Sequence, residues 1–174
     1  MLFAPLLALL GRGRHHWKGV HDLTSLIYRG CEFPADYLYD VDRDVWVRLD
    51  EDGCVTMGMT DPAQAQCGKF VHIRFKAPGR ELQRGQSAAT IESAKWVGPF
   101  PTPLSGEIVA TNAAGFQQNI LLANKDPYDA GWLIRLRPSR FEEERSALLP
   151  QEAALARYRE KIDMRQLQCY RCMD

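Results

Sequence analysis

Asp44-Val-Trp-Val-Arg-Leu49, Glu51-Asp-Gly53 and Cys54-Val-Thr-Met-Gly-Met59 follow one another with almost no gap. The first run alternates polar and apolar residues, the second is an acidic turn ending in glycine, and the third is again rich in apolar side chains. Two such runs joined by such a turn predict a β-hairpin. Just downstream, Asp61-Pro-Ala-Gln-Ala-Gln66 offers an Asp at a possible N-cap and a proline at the first helical position. That predicts a single helical turn. Phe70-Val-His-Ile-Arg-Phe75 alternates again and stops at Ala77-Pro-Gly79. His72 falls among its outward polar positions, with no other ligand type at metal spacing, and reads as an exposed strand residue. Further strands are expected over residues 87–92, 106–111 and 132–136. Gly98-Pro-Phe-Pro-Thr-Pro103 fixes φ at three of its residues and removes three donors, which predicts a stiff connector and not a strand interior. Many short strands with Gly and Pro punctuation predict a mainly β fold, a small sandwich or barrel.

After Pro138 the texture changes. Ser139-Arg-Phe-Glu142 has the capping-box pattern and predicts a helix over Phe141 to Leu149, broken by Pro150. Leu155, Tyr158 and Ile162 then recur at helical spacing, which predicts a second helix docked on the β core.

The 174 residues are 45% apolar and carry 22 basic against 22 acidic groups. A zero balance argues against a general nucleic-acid binder, which needs a basic excess to neutralise phosphates. The longest apolar run, Leu2 to Leu10, contains Pro5 and is followed by Arg12 and Arg14. It is far short of the roughly 20 residues that span a bilayer. An export signal would carry its positive charge before the apolar stretch, so neither membrane nor export is expected. A cytoplasmic protein is. Residues 1–30 hold 4 basic and 1 acidic group with His15, His16 and His21, against 11 and 14 over residues 31–138. This basic arm reads as solvated or loosely docked, with an acidic partner as the sharper alternative.

Five cysteines, Cys31, Cys54, Cys67, Cys169 and Cys172, are an odd, unevenly spread number. That is not a disulfide framework and agrees with a reducing compartment. Cys169-Tyr-Arg-Cys172 is one C-x-x-C, half of what a closed zinc site needs. It reads as free surface thiols on a dispensable tail, with redox or shared-metal roles as alternatives.

No nucleophile–base pair stands in a context that would make an active site, so no catalytic residue and no metal ligand is assigned. What stands out is Lys95, one of only six lysines against sixteen arginines. It lies in Ile91-Glu-Ser-Ala-Lys-Trp96, directly after a strand and before the proline-stiffened segment. Such a place presents an amine at a rigid turn, although an exposed turn lysine is also an ordinary solvated charge.

Glu92-Ser-Ala-Lys95, Pro103-Leu-Ser-Gly-Glu-Ile-Val109, Asn112 and Asn124-Lys-Asp-Pro-Tyr-Asp-Ala-Gly-Trp-Leu133 together resemble the H protein of the glycine cleavage system. Upstream, Asp44-Val-Trp-Val-Arg48, Gly58-Met-Thr-Asp61, Ala63-Gln64 and Gly68 fall where that family has corresponding motifs. The resemblance runs from about Phe33 to Pro138. It implies a barrel-sandwich hybrid over residues 33–138, flanked by an N-terminal arm (1–32) and a helical C-terminal tail (139–174). It also implies a non-catalytic carrier with lipoic acid held covalently on Lys95. Glu92 would help the lipoate-attaching ligase or transferase recognise the hairpin. Gly106 would permit close packing where the opposite strand passes the lysine hairpin; its plain reading is a turn glycine. A biotin carrier is the near competitor in fold, but biotinyl domains flank their lysine with methionines, and here Ala94 and Trp96 flank it.

The chain departs from the glycine-cleavage pattern beside the lysine. Trp96-Val-Gly-Pro-Phe-Pro-Thr-Pro103 is bulky, apolar and proline-rich where the family runs through small and acidic residues, and Asp44-Val-Trp46 replaces His-Glu-Trp. An altered surface beside the arm changes what a partner must read. The chain looks more like the H-like lipoate-binding proteins of heterodisulfide-reductase-like sulfur oxidation, with that complex as partner. The alternative is glycine cleavage, with glycine dehydrogenase, aminomethyltransferase and dihydrolipoyl dehydrogenase. An unmodified interaction module is the alternative from another class.

Overall fold

The computed structural model describes residues 25–171. Strands β1 (Leu26–Tyr28) and β2 (Cys31–Phe33) form a hairpin. They are followed by β3 (Leu38–Asp40), β4 (Val45–Leu49), β5 (Val55–Met59), α1 (Asp61–Cys67) and β6 (Phe70–Phe75). Next come β7 (Glu81–Leu82), β8 (Ser87–Ser93), β9 (Val97–Pro101) and β10 (Gly106–Thr111). The chain continues with α2 (Ala113–Gln118), α3 (Leu122–Lys125), β11 (Ile134–Pro138), α4 (Phe141–Glu144), β12 (Leu149–Pro150) and α5 (Gln151–Met164).

Seven strands make one sheet in the order β12-β3-β4-β5-β11-β10-β7, and three make another in the order β6-β8-β9. Val45, Val47 and Met57 of the large sheet pack with Ala89, Ile91 and Phe100 of the small one in a single core. This is the mainly β architecture that the strand pattern predicts. The hairpin read from residues 44–59 pairs Val45 with Met59 and Leu49 with Val55. The large sheet is covered on its other face too. Trp46, Tyr39 and Phe33 meet Leu155, Tyr158 and Ile162 of α5 in a second core. Consecutive Val45, Trp46 and Val47 are therefore all buried, because alternate side chains point to opposite faces.

Four expectations change. The 98–103 segment is not only a connector, because β9 pairs with β8 from Ser87↔Pro101 to Glu92↔Val97. It is an edge strand, where a missing proline donor on the outward side is tolerated. The helix expected to Leu149 stops at Glu144 and passes through a 3₁₀ turn (Arg145–Ala147). Pairing of Leu149 with Tyr39 wins over helix continuation. No capping box forms there: Arg140 is the N-cap, without a side-chain cap bond, and the Ser139 N–H donates to the Ser105 carbonyl at 2.9 Å. The helical turn read from Asp61 is a seven-residue helix whose N-cap is Thr60.

The fourth change is the cysteine pattern. Cys31 and Cys169 are joined in a disulfide across 138 residues, and both are buried in the second core. Cys169 is therefore neither free nor on a loose tail. Cys54 and Cys67 are free and buried. Cys172, the apolar run Leu2 to Leu10 and the basic and histidine residues 12–21 lie outside the described residues. Among the described residues, no helix is long and apolar enough to cross a membrane, and no group of three or more side chains could hold a metal ion.

Candidate functional site

Strands β8 and β9 form a hairpin whose tip is Ala94-Lys95. The Ser93 N–H donates to the Trp96 carbonyl at 2.8 Å, which closes the loop. The Ser93 hydroxyl then does most of the remaining polar work. It accepts the Lys95 N–H at 3.2 Å and the Trp96 N–H at 3.0 Å, and it donates to the Cys67 carbonyl at 2.6 Å. A short hydroxyl side chain next to a turn supplies such bonds locally, which stiffens the loop. The Ala94 N–H reaches the Lys69 carbonyl at 3.3 Å, so the tip is tied to the α1–β6 connection as well.

The lysine stem crosses that connection at Gly68. A Cβ placed there would meet the Lys95 Cδ at 3.5 Å, and Gly68 has φ of +77°, a region side chains avoid. Glycine at this point allows the tight exit from α1 directly beneath the stem. The Lys95 ammonium makes no ion pair among the described residues, whereas Lys161 is bound to Asp44 at 2.5 Å and to the Val41 carbonyl.

Asn124 supports the same connection from below. Its Nδ2 donates to the Gly68 carbonyl at 2.9 Å and to Gln64 Oε1 at 3.0 Å, and its Oδ1 accepts the Phe70 N–H at 3.0 Å. Asn124, Ser93 and Gly68 stand in the motifs beside Lys95, but sequence alone assigns them no task. The available signal was a polar residue directly before a turn, and a glycine directly after a helix.

An open groove of about 560 Å³ runs beside the hairpin. Trp96, Pro99 and Phe100 form its apolar wall, and Met59 and Cys67 line its floor. Gly98 makes the wall possible: a Cβ there would sit 1.9 Å from Trp96 Cζ2, so the indole lies back over its own strand. The Cys67 thiol is pushed up by burial, partly offset by its bond with Ser93, and stays protonated at neutral pH. At the rim, Arg43 is paired with Asp40 at 2.9 Å, and Asp44 is held by Lys161.

Glu92 is exposed on β8, in register with His72 of β6 on one side and Val97 of β9 on the other. His72 is exposed, as the alternation of its strand predicts. Gly106 starts β10 in the large sheet, where a Cβ would meet the Arg137 carbonyl at 2.1 Å. Its close neighbour is therefore β11, and the lysine hairpin belongs to the other sheet.

An exposed amine on a stiff tip, a stem lying across a glycine and an adjacent apolar wall suit an amide-linked acyl chain. Lipoic acid fits such a place. A model of the family described as glycine cleavage H-protein matches residues 37–161. Glycine cleavage system H protein 2 of Aquifex aeolicus is 40% identical over 142 residues, covering 82% of this chain and 88% of that one. A probable glycine cleavage system H protein 2 of Sulfurisphaera tokodaii is 38% identical over 143 residues, covering 81% and 95%. Among solved structures, the chain is similar to a glycine cleavage system H protein from Mycobacterium marinum, with a TM-score of 0.62. That match has 29% identity and covers 72% of this chain and 98% of the other.

Proposed function

Because the chain belongs to the glycine cleavage H-protein family, whose members are carriers with lipoic acid bound covalently to a lysine, we propose that Lys95 bears its lipoyl arm. The observation that carries this is the tip geometry: the Lys95 ammonium is exposed and, among the described residues, makes no ion pair, where Ser93 and Lys69 hold the turn. When bound, lipoic acid supplies a dithiolane that opens to a dithiol, takes a group on sulfur and closes again.

The chain's residues supply presentation. Ser93 and Asn124 fix the root of the arm, Gly68 turns the chain out of α1 beneath the stem, and Trp96 and Pro99 give an apolar surface against which it can rest. A tethered arm visits each partner at an effective concentration set by its length and not by diffusion. Glu92, exposed three residues before Lys95, is a feature by which the attaching enzyme reads the hairpin.

We further propose that the arm shuttles a sulfur-bound intermediate in heterodisulfide-reductase-like sulfur oxidation, in the cytoplasm. The support is the surface beside the arm. Trp96 and Val97 are 40% and 63% exposed on a proline-braced edge strand. A partner suited to small and acidic residues would meet bulk here. The second reading, transfer of an aminomethyl group in glycine cleavage, is favoured by the names of the relatives.

The test of attachment is peptide mass spectrometry on protein coexpressed with a lipoate ligase. One lipoyl group on Lys95, absent in Lys95→Arg, is expected. Modification that persists in Lys95→Arg, or that maps to Lys125, overturns the assignment.

A further inference from the structure

The second core holds a covalent bond that carrier function does not use. Beyond α5, residues 167–171 have no regular secondary structure, yet they are bound tightly to the start of the described chain. Cys169 is joined to Cys31, and the Cys169 N–H donates to the Arg29 carbonyl at 3.0 Å. The β1–β2 turn is shaped for this approach. Arg29 and Gly30 both have positive φ, and a Cβ on Gly30 would sit 2.4 Å from the Cys169 carbonyl oxygen.

Two residues further on, the Arg171 guanidinium lies 2.5 Å from Glu32 and 3.4 Å from Asp61. Asp61 is 3% exposed, and it also accepts the Glu32 N–H at 2.8 Å. Burial pushes its carboxyl above the ordinary range, and the Arg171 charge opposes that shift. Asp61 is the first residue of α1. The last residue of α1 is Cys67, whose carbonyl receives the Ser93 hydroxyl, and Gly68 beneath the Lys95 stem comes next. A seven-residue helix thus connects the disulfide-held segment to the root of the arm.

We propose that Cys31–Cys169 is a thiol-sensitive latch, opened by a 1,3-dithiol that closes to a five-membered cyclic disulfide, that holds Arg171 on Asp61 and thereby stiffens α1 under Lys95. Opening is a two-electron exchange. One thiolate of the dithiol attacks Cys169 Sγ and expels the Cys31 thiolate, and the second thiol displaces Cys169 as the dithiol closes to a cyclic disulfide. The two protons of the dithiol end on Cys31 and Cys169. Ring closure is intramolecular and drives the second displacement, an advantage that a monothiol lacks. Cys169 lies in a segment that can leave without breaking a helix or strand. The choice of a dithiol rests on the lipoyl-carrier reading; the latch and its link to α1 do not.

The test uses the full chain without lipoylation, oxidised and then treated with a phosphine reductant, dihydrolipoamide or glutathione, and read by non-reducing peptide mapping and hydrogen exchange. Before treatment, Cys31 should be paired with Cys169 in the wild type and in Cys172→Ser. Phosphine reduction should speed amide exchange over residues 26–33 and 61–67 and leave β4, β5 and β11 protected. Cys169→Ser should give the same pattern untreated, and the treated wild type decides the matter if that variant does not fold. Dihydrolipoamide should open the bond at a thiol concentration about tenfold below that needed with glutathione. Pairing of Cys169 with Cys172, or faster exchange confined to residues 165–171, overturns the latch. Equal potency of glutathione overturns the dithiol assignment while leaving Lys95 attachment untouched, since no lipoyl group is present.

Discussion

Asn124 Nδ2 donates to the Gly68 carbonyl at 2.9 Å while its Oδ1 accepts the Phe70 N–H at 3.0 Å, so one buried amide brackets Lys69 from both sides. Lys69 in turn gives its carbonyl to the Ala94 N–H at the hairpin tip. A side chain 29 positions beyond Lys95 in sequence therefore sets where the amine stands.

Removing that amide should be costly in two ways. Asn124→Ala leaves the Phe70 N–H and the Gly68 carbonyl without their partner, and an unsatisfied buried group costs about 1–3 kcal/mol. Urea denaturation should show a loss of that order, and the rate of ligase-catalysed lipoylation should fall under conditions where the variant is still folded. Asn124→Asp keeps the acceptor for the Phe70 N–H but sets a carboxylate oxygen against the Gly68 carbonyl and Gln64 Oε1, and should be no better tolerated. Lipoylation at the wild-type rate in a destabilised Asn124→Ala would show that the bracket serves only the fold.

The pathway is tested separately. Lipoylated protein in a reconstituted glycine cleavage assay should turn over about tenfold or more below a genuine H protein, roughly 1.4 kcal/mol in barrier. Trp96→Ser with Val97→Ser should recover part of the deficit by clearing the apolar edge. Rates equal to those of a genuine H protein would restore aminomethyl transfer as the function.

What the sequence made legible was local. The 44–59 hairpin, the strand 106–111 and the core-facing spacing of Leu155, Tyr158 and Ile162 are written in alternation and periodicity. Lys95 stood out because lysine is scarce and because its surroundings form a motif. The cysteine pairing was not legible, since residues 138 positions apart meet only after the chain folds and spacing carries no connectivity. Nor was β9, because the bias of proline against strands yields at an edge, and edge position is a property of the whole sheet. The short α4 shows the same limit. Its capping pattern was present, but a strand partner for Leu149 and a bonding partner for Glu144 came from residues far away in sequence.

Glu144 makes acid stability a measurable consequence. Its carboxylate accepts the Ser105 N–H at 2.6 Å and the Ser105 hydroxyl at 2.7 Å, with Arg140 at 3.1 Å. Burial alone would raise its pKa, but these bonds with the charges of Arg140 and Arg84 outweigh it, and the carboxyl sits below its ordinary 4.5. A group lowered in the folded state contributes stability that is present above the unfolded value and is lost as pH falls through the folded one. Wild-type stability should therefore drop below about pH 4.5 by more than that of Glu144→Gln. At neutral pH the variant should be less stable by about 1.5–3 kcal/mol, the range for hydrogen bonds to a charged group. Parallel pH profiles for the two proteins would refute the assignment.

A second tight demand on the second core lies between Trp46 and Gly58, which are directly paired on β4 and β5. A Cβ on Gly58 would sit 2.7 Å from Trp46 Cζ2 and 2.9 Å from Nε1. The indole cannot retreat, since it is fully buried, its Nε1 donates to the Pro127 carbonyl at 2.9 Å, and Tyr37 and Tyr128 lie against it. Gly58→Ala should thus destabilise by about 1–3 kcal/mol, the range for overpacking. Trp46→Phe removes the atoms in conflict and loses a hydrogen bond, so it should be destabilising on its own. Combined, the two changes should cost less than the sum of the singles, because the clash needs both residues. Thermal or urea unfolding of the four proteins measures the coupling, and strict additivity would mean that β5 shifts to admit the methyl group and that Gly58 is not there for the tryptophan.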